Sequence, residues 1–505
     1  MKTSDAAKTF HGFCSAFLCI LFFGLPLVLN RGYYNATVTK SLFFLIFGTV
    51  FCAASLFCVI AYMSMARKNP LRTAPLDWAF VAFSLAYILS ASLSTYGADV
   101  WLGRTSRLQG ALVILLYAAM YYILSCGIVK IDAKSAFLTA LILGYAIVSV
   151  LALLNSFKID VLGIYEDVRE IQRPWYISTI GNVNFFSAYV CLCLPALIVI
   201  GALSEGKGRR ILLHICLVFG GISAVLTCSE GFALGMSAFA AIIPFFFFGE
   251  KKRFIRFCIA TMTVYVSAAV FYHIYVNLPD HLFQPALLVS AALSLPALAA
   301  VIVLVTAACF LTYRFERFLP VFKWVYLGAV IAAISGVVLL VWWANTHDTA
   351  GALDVLVMND EWGTGRGTIY RLSIQALRGY SVKNLIFGVG PEMFQRIMAG
   401  YKMGRVDQAH CEYLQTLMTC GIFGLLSQLS VIGIAIFSVL KTWRKNPVII
   451  ALLAGLTAYW AQAAISIAQP FTNPIVFAFI GLIGSEYKNY RTIQKTVFLK
   501  KGKIK

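Results

Sequence analysis

Charge is what this sequence lacks most. Of its 505 residues, 12% are Asp, Glu, Lys or Arg, 60% are hydrophobic, and the mean hydropathy is +0.83. A soluble chain carries about twice that charged fraction, so a soluble globular protein is excluded. Acidic residues are scarcer than basic ones, 21 against 41, which leaves a formal charge of +20. No basic run is interleaved with aromatics outside the apolar segments, so the excess does not read as nucleic-acid binding. It reads as the basic loops of a membrane protein. The 13 cysteines include no Cys-x-x-Cys and no Cys/His spacing suited to zinc. Most, such as Cys14, Cys52, Cys191 and Cys193, lie in apolar runs, where Cys behaves as a small hydrophobe. No metal site and no cofactor is expected. Heptads and fixed-period repeats are absent too.

What is present is a succession of apolar runs of membrane-spanning length. About fourteen spans (12–14) are expected, near 12–29, 41–66, 76–93, 108–129, 135–154, 184–203, 211–227, 231–248, 254–276, 285–312, 321–344, 411–440, 447–466 and 471–487. The fold class is an all-α polytopic membrane protein. The start, with Lys2 and Lys8 before a run to Leu29, is signal-like, but its length and the lack of a small-x-small site make it a first span. Placing the N-terminus inside and alternating sides puts 27 of the 41 Lys and Arg inside. Both termini are then cytoplasmic, and the long loop before the twelfth span is outside. The expected organisation is residues 1–344 as eleven spans with a short outer segment at 155–183, 345–410 as an outer cap, 411–487 as three more spans, and 488–505 as a basic tail held against anionic lipid.

The spans themselves are nearly free of ionisable residues. His214 and His273 lie within spans, and Asp77 and Glu230 at span ends. An ion-coupled transporter, a flippase or a polysaccharide exporter calls for a charged path through mid-membrane, and none is visible. The charges gather instead on the outer face, where Arg is suited to bidentate contact with phosphate. On a helical wheel for 367–380, Arg371, Gln375 and Arg378 share about 60° and the apolar residues fill the opposite arc. Such a helix either presents its cations to an anionic substrate or lies on the headgroups with that face solvated. Gly388-Val389-Gly390-Pro391 is a tight turn expected to open a further helix. Asp407 is placed to cap the helix that follows His410. Asn182 and Asn184 flank the start of a span as helix caps or as hydrogen-bonding groups for a sugar. A neutral His410 at the interface suits a general base, or a ring bonded to a loop carbonyl.

Three stretches belong together. They are Arg366 with Arg371, then Phe387-Gly388-Val389-Gly390-Pro391-Glu392-Met393-Phe394, then Ala409-His410-Cys411-Glu412-Tyr413-Leu414-Gln415 followed by Gly421-Ile422-Phe423-Gly424-Leu425-Leu426. This series resembles the signature of the O-antigen ligase and polymerase superfamily, with further matches at Arg107-Leu108-Gln109-Gly110, Gly181-Asn182-Val183-Asn184 and Leu226-Thr227-Cys228-Ser229-Glu230-Gly231. Two residues depart from the pattern: Cys411 stands where the family has Asn, and Glu230 where it often has Arg. The resemblance implies a membrane-embedded helical glycosyltransferase of the bacterial cytoplasmic membrane, working without a metal. It would move glycan from an undecaprenyl-diphosphate carrier to an acceptor hydroxyl on the outer face. Partners would be that donor, a lipid, wall-polymer, glycan or protein acceptor, and the bilayer. His410 and Arg366 are the implied catalytic residues. Arg371, Arg107, Arg378, Glu412, Tyr413 and Asn184 are the implied substrate contacts, and Trp362, Tyr370 and Tyr413 could stack on sugars or anchor at the interface. Ligation, polymerisation of repeat units and transfer to protein stay open, as does a non-catalytic scaffold.

Overall fold

A computed structural model describes residues 3–501 apart from 31, 67–72, 106, 316–318, 348–353 and 355, with the side chains of 3–6, 61–66 and 495–501 also outside the described set. Lys2, Arg67, Lys68, Arg72, Arg317, Lys503 and Lys505, which contributed to the expected basic loops and tail, lie outside the described residues. The fold is a helical bundle. Its helices are α1 (Thr3–Cys19, continued to Leu27), α2 (Ala36–Ala66), α3 (Pro75–Leu93), α4 (Ala111–Leu124), α5 (Ala136–Ser156), α6 (Val183–Leu203), α7 (Lys207–Leu226) and α8 (Glu230–Ile242). They are followed by α9 (Lys251–Tyr275), α10 (Leu295–Arg314) and α11 (Leu319–Ala344). Then come α12 (Trp362–Arg378), α13 (Val382–Phe387), α14 (Glu412–Thr442), α15 (Ile449–Gln462) and α16 (Asn473–Lys501).

Among the described residues, ten helices are long and apolar enough to cross a membrane, which makes this a polytopic helical membrane protein. A helix also stands at each of the other four expected positions, but α4, α8 and α15 are shorter, and α16 turns polar beyond Ser485. The shortening has a local cause. α4 starts late because residues 103–105 and 107–110 are not helical, and α15 stops at Gln462 because the chain runs on as a short 3-10 turn and coil to Asn473. That coil is sealed in protein, with Gln469 and Thr472 fully buried. Irregular backbone at membrane depth requires such shelter. The late start of α4, the early stop of α15 and the start of α16 leave a recess on one face of the bundle.

α6 is the bundle's axis, buried along nearly all its length, while α10 and α11 lie at the periphery with their apolar side chains exposed. Two buried cations brace the bundle. The Lys40 ammonium donates to the carbonyls of Leu25, Pro26 and Val28 at 3.1, 2.7 and 2.8 Å, satisfying the carbonyls left open where α1 ends. Lys488 on α16 pairs with Asp77 on α3 at 2.8 Å, and Asp77 also accepts from the Tyr121 hydroxyl and the Ala74 amide. The Asp77 carboxylate therefore caps α3 and ties it to α4 and α16.

Residues 155–183 fold beside the bundle around Tyr33, Tyr165 and Tyr176 and end in a two-stranded ribbon, Tyr176–Ile177 with Gly181–Asn182. Over the recess sits the cap. It has its own small core: Ile369 and Ala376 of α12, Phe394 and Met398 of a short helix (Phe394–Ala399), Ala409, and Met418 of α14. α12 is amphipathic as its wheel suggests, with Ile369, Ser373 and Ala376 buried and Arg371, Gln375 and Arg378 exposed.

Candidate functional site

The site is built by a wedge. The turn Gly388–Pro391 presses into a break in α14 at Gly421. Gly390 N donates to Thr419 O at 3.0 Å, Ser94 Oγ donates to Val389 O at 2.7 Å, and Ser90 Oγ donates to Thr419 O at 2.6 Å. Both sides of the contact require glycine. A Cβ on Gly388 (φ +76) would stand 2.1 Å from Thr419 O, and one on Gly421 (φ +69) 2.3 Å from Ile386 O. The short helix after the turn begins at Phe394 rather than at Pro391, because Pro391–Met393 continue the turn.

The wedge delivers Glu392. Its carboxylate is buried and accepts the Arg104, Thr105 and Gln109 amides at 3.0, 3.1 and 3.0 Å and the Thr105 hydroxyl at 2.9 Å. One side chain thus fastens the loop that carries Arg107. Arg107 pairs with Asp407 and lies 6.0 Å from the Phe185 ring centre. Its side chain is 11% exposed, and its Nε–H is buried without a partner. Such an orphan donor on a buried guanidinium is costly unless an acceptor arrives.

Arg366 and His410 complete the cluster. α12 begins with three residues in the left-handed region, Gly363 to Gly365, and then turns helical at Arg366. The Arg366 Nη1 reaches Ile465 O at 2.8 Å, at the end of the turn following α15. Burial lowers the Arg366 guanidinium from its usual value. His410 has φ +52, and its carbonyl accepts the Tyr370 hydroxyl at 3.0 Å. Burial and the Arg366 charge, with a further contribution from Arg107, push the imidazole down to about 4 against the opposing pull of Asp407. The ring is therefore neutral at neutral pH.

Beneath the cluster lies a cavity of about 120 Å³ whose lining includes Gln109, Gln408, Glu412, Gln415 and Tyr459. Glu412 Oε1 accepts the Tyr459 hydroxyl at 2.6 Å, and that hydroxyl is also 3.0 Å from Asn473 Oδ1. Tyr413 donates to Trp460 O at 2.7 Å. Among the described residues, no group of three His, Cys, Asp or Glu side chains could hold a metal ion.

The structure brings Arg107, Arg366, His410 and Glu412 to one recess. Arg371 is elsewhere on α12, exposed and bound bidentately to Asp360 at 2.8 Å through both bonds. That pairing holds Asp360 below the usual carboxylate range and raises Arg371. Arg378 is exposed twelve residues beyond Arg366, about 18 Å along the helix axis. Asn182, not Asn184, is the side-chain cap of α6, accepting the Asn184 amide at 2.9 Å. Cys411 caps α14 through its Sγ, and Asp407 is taken by Arg107 instead. Glu230 caps nothing in the cluster, since its carboxylate accepts the Leu288 amide at 3.2 Å. Sequence reasoning did not assign roles to Glu392, Tyr459 or the Ile465 carbonyl. Glu392 stood inside a quoted motif, yet only the fold shows its four donors.

The O-antigen ligase family model matches residues 282–429. An O-antigen ligase domain is present there. That domain contains the cap, the wedge, Arg366 and His410, whereas Arg107, on the loop before α4, and Tyr459, on α15, lie outside the matched stretch. No curated protein matches the chain.

Proposed function

We propose that this protein is a membrane glycosyltransferase that moves glycan from an undecaprenyl-diphosphate carrier to an acceptor hydroxyl. The observation that carries the reading is a neutral His410 set beside two largely buried guanidiniums, one with an unpaired Nε–H, next to a mainly apolar cavity that also presents Gln109, Glu412 and Tyr459, in a bundle that holds an O-antigen ligase domain. In this reading the acceptor oxygen attacks the anomeric carbon, and its proton passes to the His410 ring. The bond from that carbon to the diphosphate oxygen breaks, and the electron pair leaves on the diphosphate. Arg107 and Arg366 neutralise the charge that grows there. Glu412, with Tyr459, lines the cavity in which the acceptor sits, and Tyr413 shapes its wall. Arg371 and Arg378 lie further out, where they draw an anionic donor toward the cap. Asn184, whose side chain does not cap α6, is placed in this reading as a hydrogen-bonding contact for a sugar.

The same reading has fourteen spans, both termini in the cytoplasm and the cap outside, with the isoprenoid tail in the bilayer and the reaction requiring no metal. Polymerisation of repeat units and transfer to protein would use the same recess with a different acceptor. The test is transfer from a lipid-diphosphate-linked glycan in proteoliposomes. His410→Ala and Arg366→Ala, each shown to insert and fold, should lower the rate by at least about 100-fold, the scale of losing a general base or an oxyanion contact. Transfer at the wild-type rate in either variant removes the role given to that residue. A flippase would move the donor and form no new glycosidic bond.

A further inference from the structure

On the face of the bundle away from the cap, a groove of about 460 Å³ opens between α7 and α9, lined by Lys207, Arg210, His214 and Arg256 above Ile211, Ile215, Val218 and Ile259. We propose that this groove holds the headgroup of an anionic phospholipid. The charges are oddly placed for a bare protein. α7 opens with Lys207, Arg209 and Arg210, and α9 with Lys251, Lys252 and Arg253, with Arg256 in its second turn. Cations in a first helical turn oppose the helix dipole, and an anion at the same spot relieves both effects. Some of these cations are already matched. Arg253 pairs with Glu250 at 2.9 Å, and Lys251 donates to Tyr313 O at 2.8 Å. Lys207, Arg210 and Arg256 have no ion-pair partner among the described residues, and no carboxylate lines the groove. The Arg210 Nε is buried and unpartnered.

Membrane orientation by itself asks only that basic residues lie on one side. It does not ask that three of them line one groove. A free phosphate would answer the charges but leave the wall bare. Ile211, Ile215, Val218 and Ile259 are 53%, 50%, 40% and 50% exposed along that wall, which is the surface an acyl chain would cover. His214 adds a specific contact. Its Nδ1 is 2.8 Å from Thr263 Oγ1, whose own proton goes to Ile259 O at 2.9 Å. The Nδ1 is therefore the donor, and Nε2 is an acceptor that a hydroxyl of a glycerol headgroup can meet, while the phosphate is left to the three cations. Under the topology proposed above, the groove belongs to the cytoplasmic leaflet, where basic pockets between helices meet anionic lipid.

Binding is read on the detergent-purified full chain by native mass spectrometry, titrating dioleoyl phosphatidylglycerol or dioleoyl phosphatidylcholine. This readout involves no glycan transfer, so it fails or succeeds independently of the proposed activity. Wild type should retain one phosphatidylglycerol in preference to phosphatidylcholine. Arg210→Gln/Arg256→Gln should weaken that site about 30-fold and Lys207→Gln about fivefold, from roughly one unit of headgroup attraction per basic residue. Lys252→Gln/Arg444→Gln, which removes two exposed charges outside the groove, should leave it within about twofold. Equal binding of the two lipids overturns the proposal. So does equal loss in the two double variants, which would mean diffuse attraction. If the groove double variant does not fold, Lys207→Gln decides: wild-type affinity there sinks the site.

Discussion

His410 is held in an unusual state by its surroundings, and that state can be titrated. An ordinary histidine gains its proton near pH 6.5, but burial, Arg366 and Arg107 push this one to about 4. In the proposed reaction the base must be neutral, and this ring is neutral throughout the physiological range. Transfer in proteoliposomes should be flat from about pH 5.5 to 8 and fall only as pH approaches about 4. Arg366→Gln removes one of the charges that depress the ring, so the residual activity should lose its acid side at higher pH than wild type. A wild-type profile that drops around pH 6.5 would show that the ring is not depressed. The same shift acts on stability: between 6.5 and about 4 the unfolded chain binds a proton that the folded site refuses, so this residue's contribution falls as pH falls across that window. In the proposed reaction Glu392 acts through Arg107 rather than on substrate. With four donors resting on its carboxylate, Glu392→Ala should cost about 3 kcal/mol in thermal or denaturant unfolding. It should also raise the donor KM more than it lowers kcat, because it loosens the diphosphate grip. Glu392→Gln retains part of the network and should fall between the two.

At the level of elements, the decisive joints are helix ends. The break in α14 at Gly421 receives the wedge, and the start of α14 at Cys411 positions His410 one residue before it. Cys411 as cap gives the departure from the family's Asn a physical meaning: the position needs a side-chain acceptor for the Leu414 amide, and sulfur at 3.5 Å supplies a weak one. Far from the site, Asp77 and Lys488 join α3 to α16 with side chains 9% and 5% exposed. Removing one partner strands a buried charge, so Asp77→Ala or Lys488→Ala should destabilise by about 3–5 kcal/mol, while Asp77→Leu/Lys488→Met should recover most of it. Unfolding midpoints of the three variants in one detergent check this. Additive losses in the double variant would show that the pair is not coupled.

For the whole molecule, the proposed topology places cap and basic loops on opposite sides of the membrane. A cysteine replacing Lys402, exposed on the cap side, should react with a membrane-impermeant maleimide in intact cells freed of their outer barrier. A cysteine replacing Arg444, between α14 and α15, should react only after the membrane is opened. The reverse pattern would invert the topology and move the recess to the cytoplasm.

Apolar runs and the near absence of charge determined the membrane bundle, since backbone groups in lipid leave few alternatives to helices. The linked motifs around Gly388, His410 and Gly421 marked the cap and its domain family. Helix period alone gave α12 its buried and exposed faces. The sequence could not say which arginines meet. Arg371 and Arg366 stood together in the linked motifs, and only the fold gives Arg371 to Asp360 while turning Arg366 toward Ile465. Nor could it say that Arg107 and Glu392, 285 positions apart, share one network, or that α4 and α15 would end early to make room for it. Periodicity is local and survives in the string of residues. The pairing of charges depends on contacts between distant segments, and those were decided only when the tertiary structure closed.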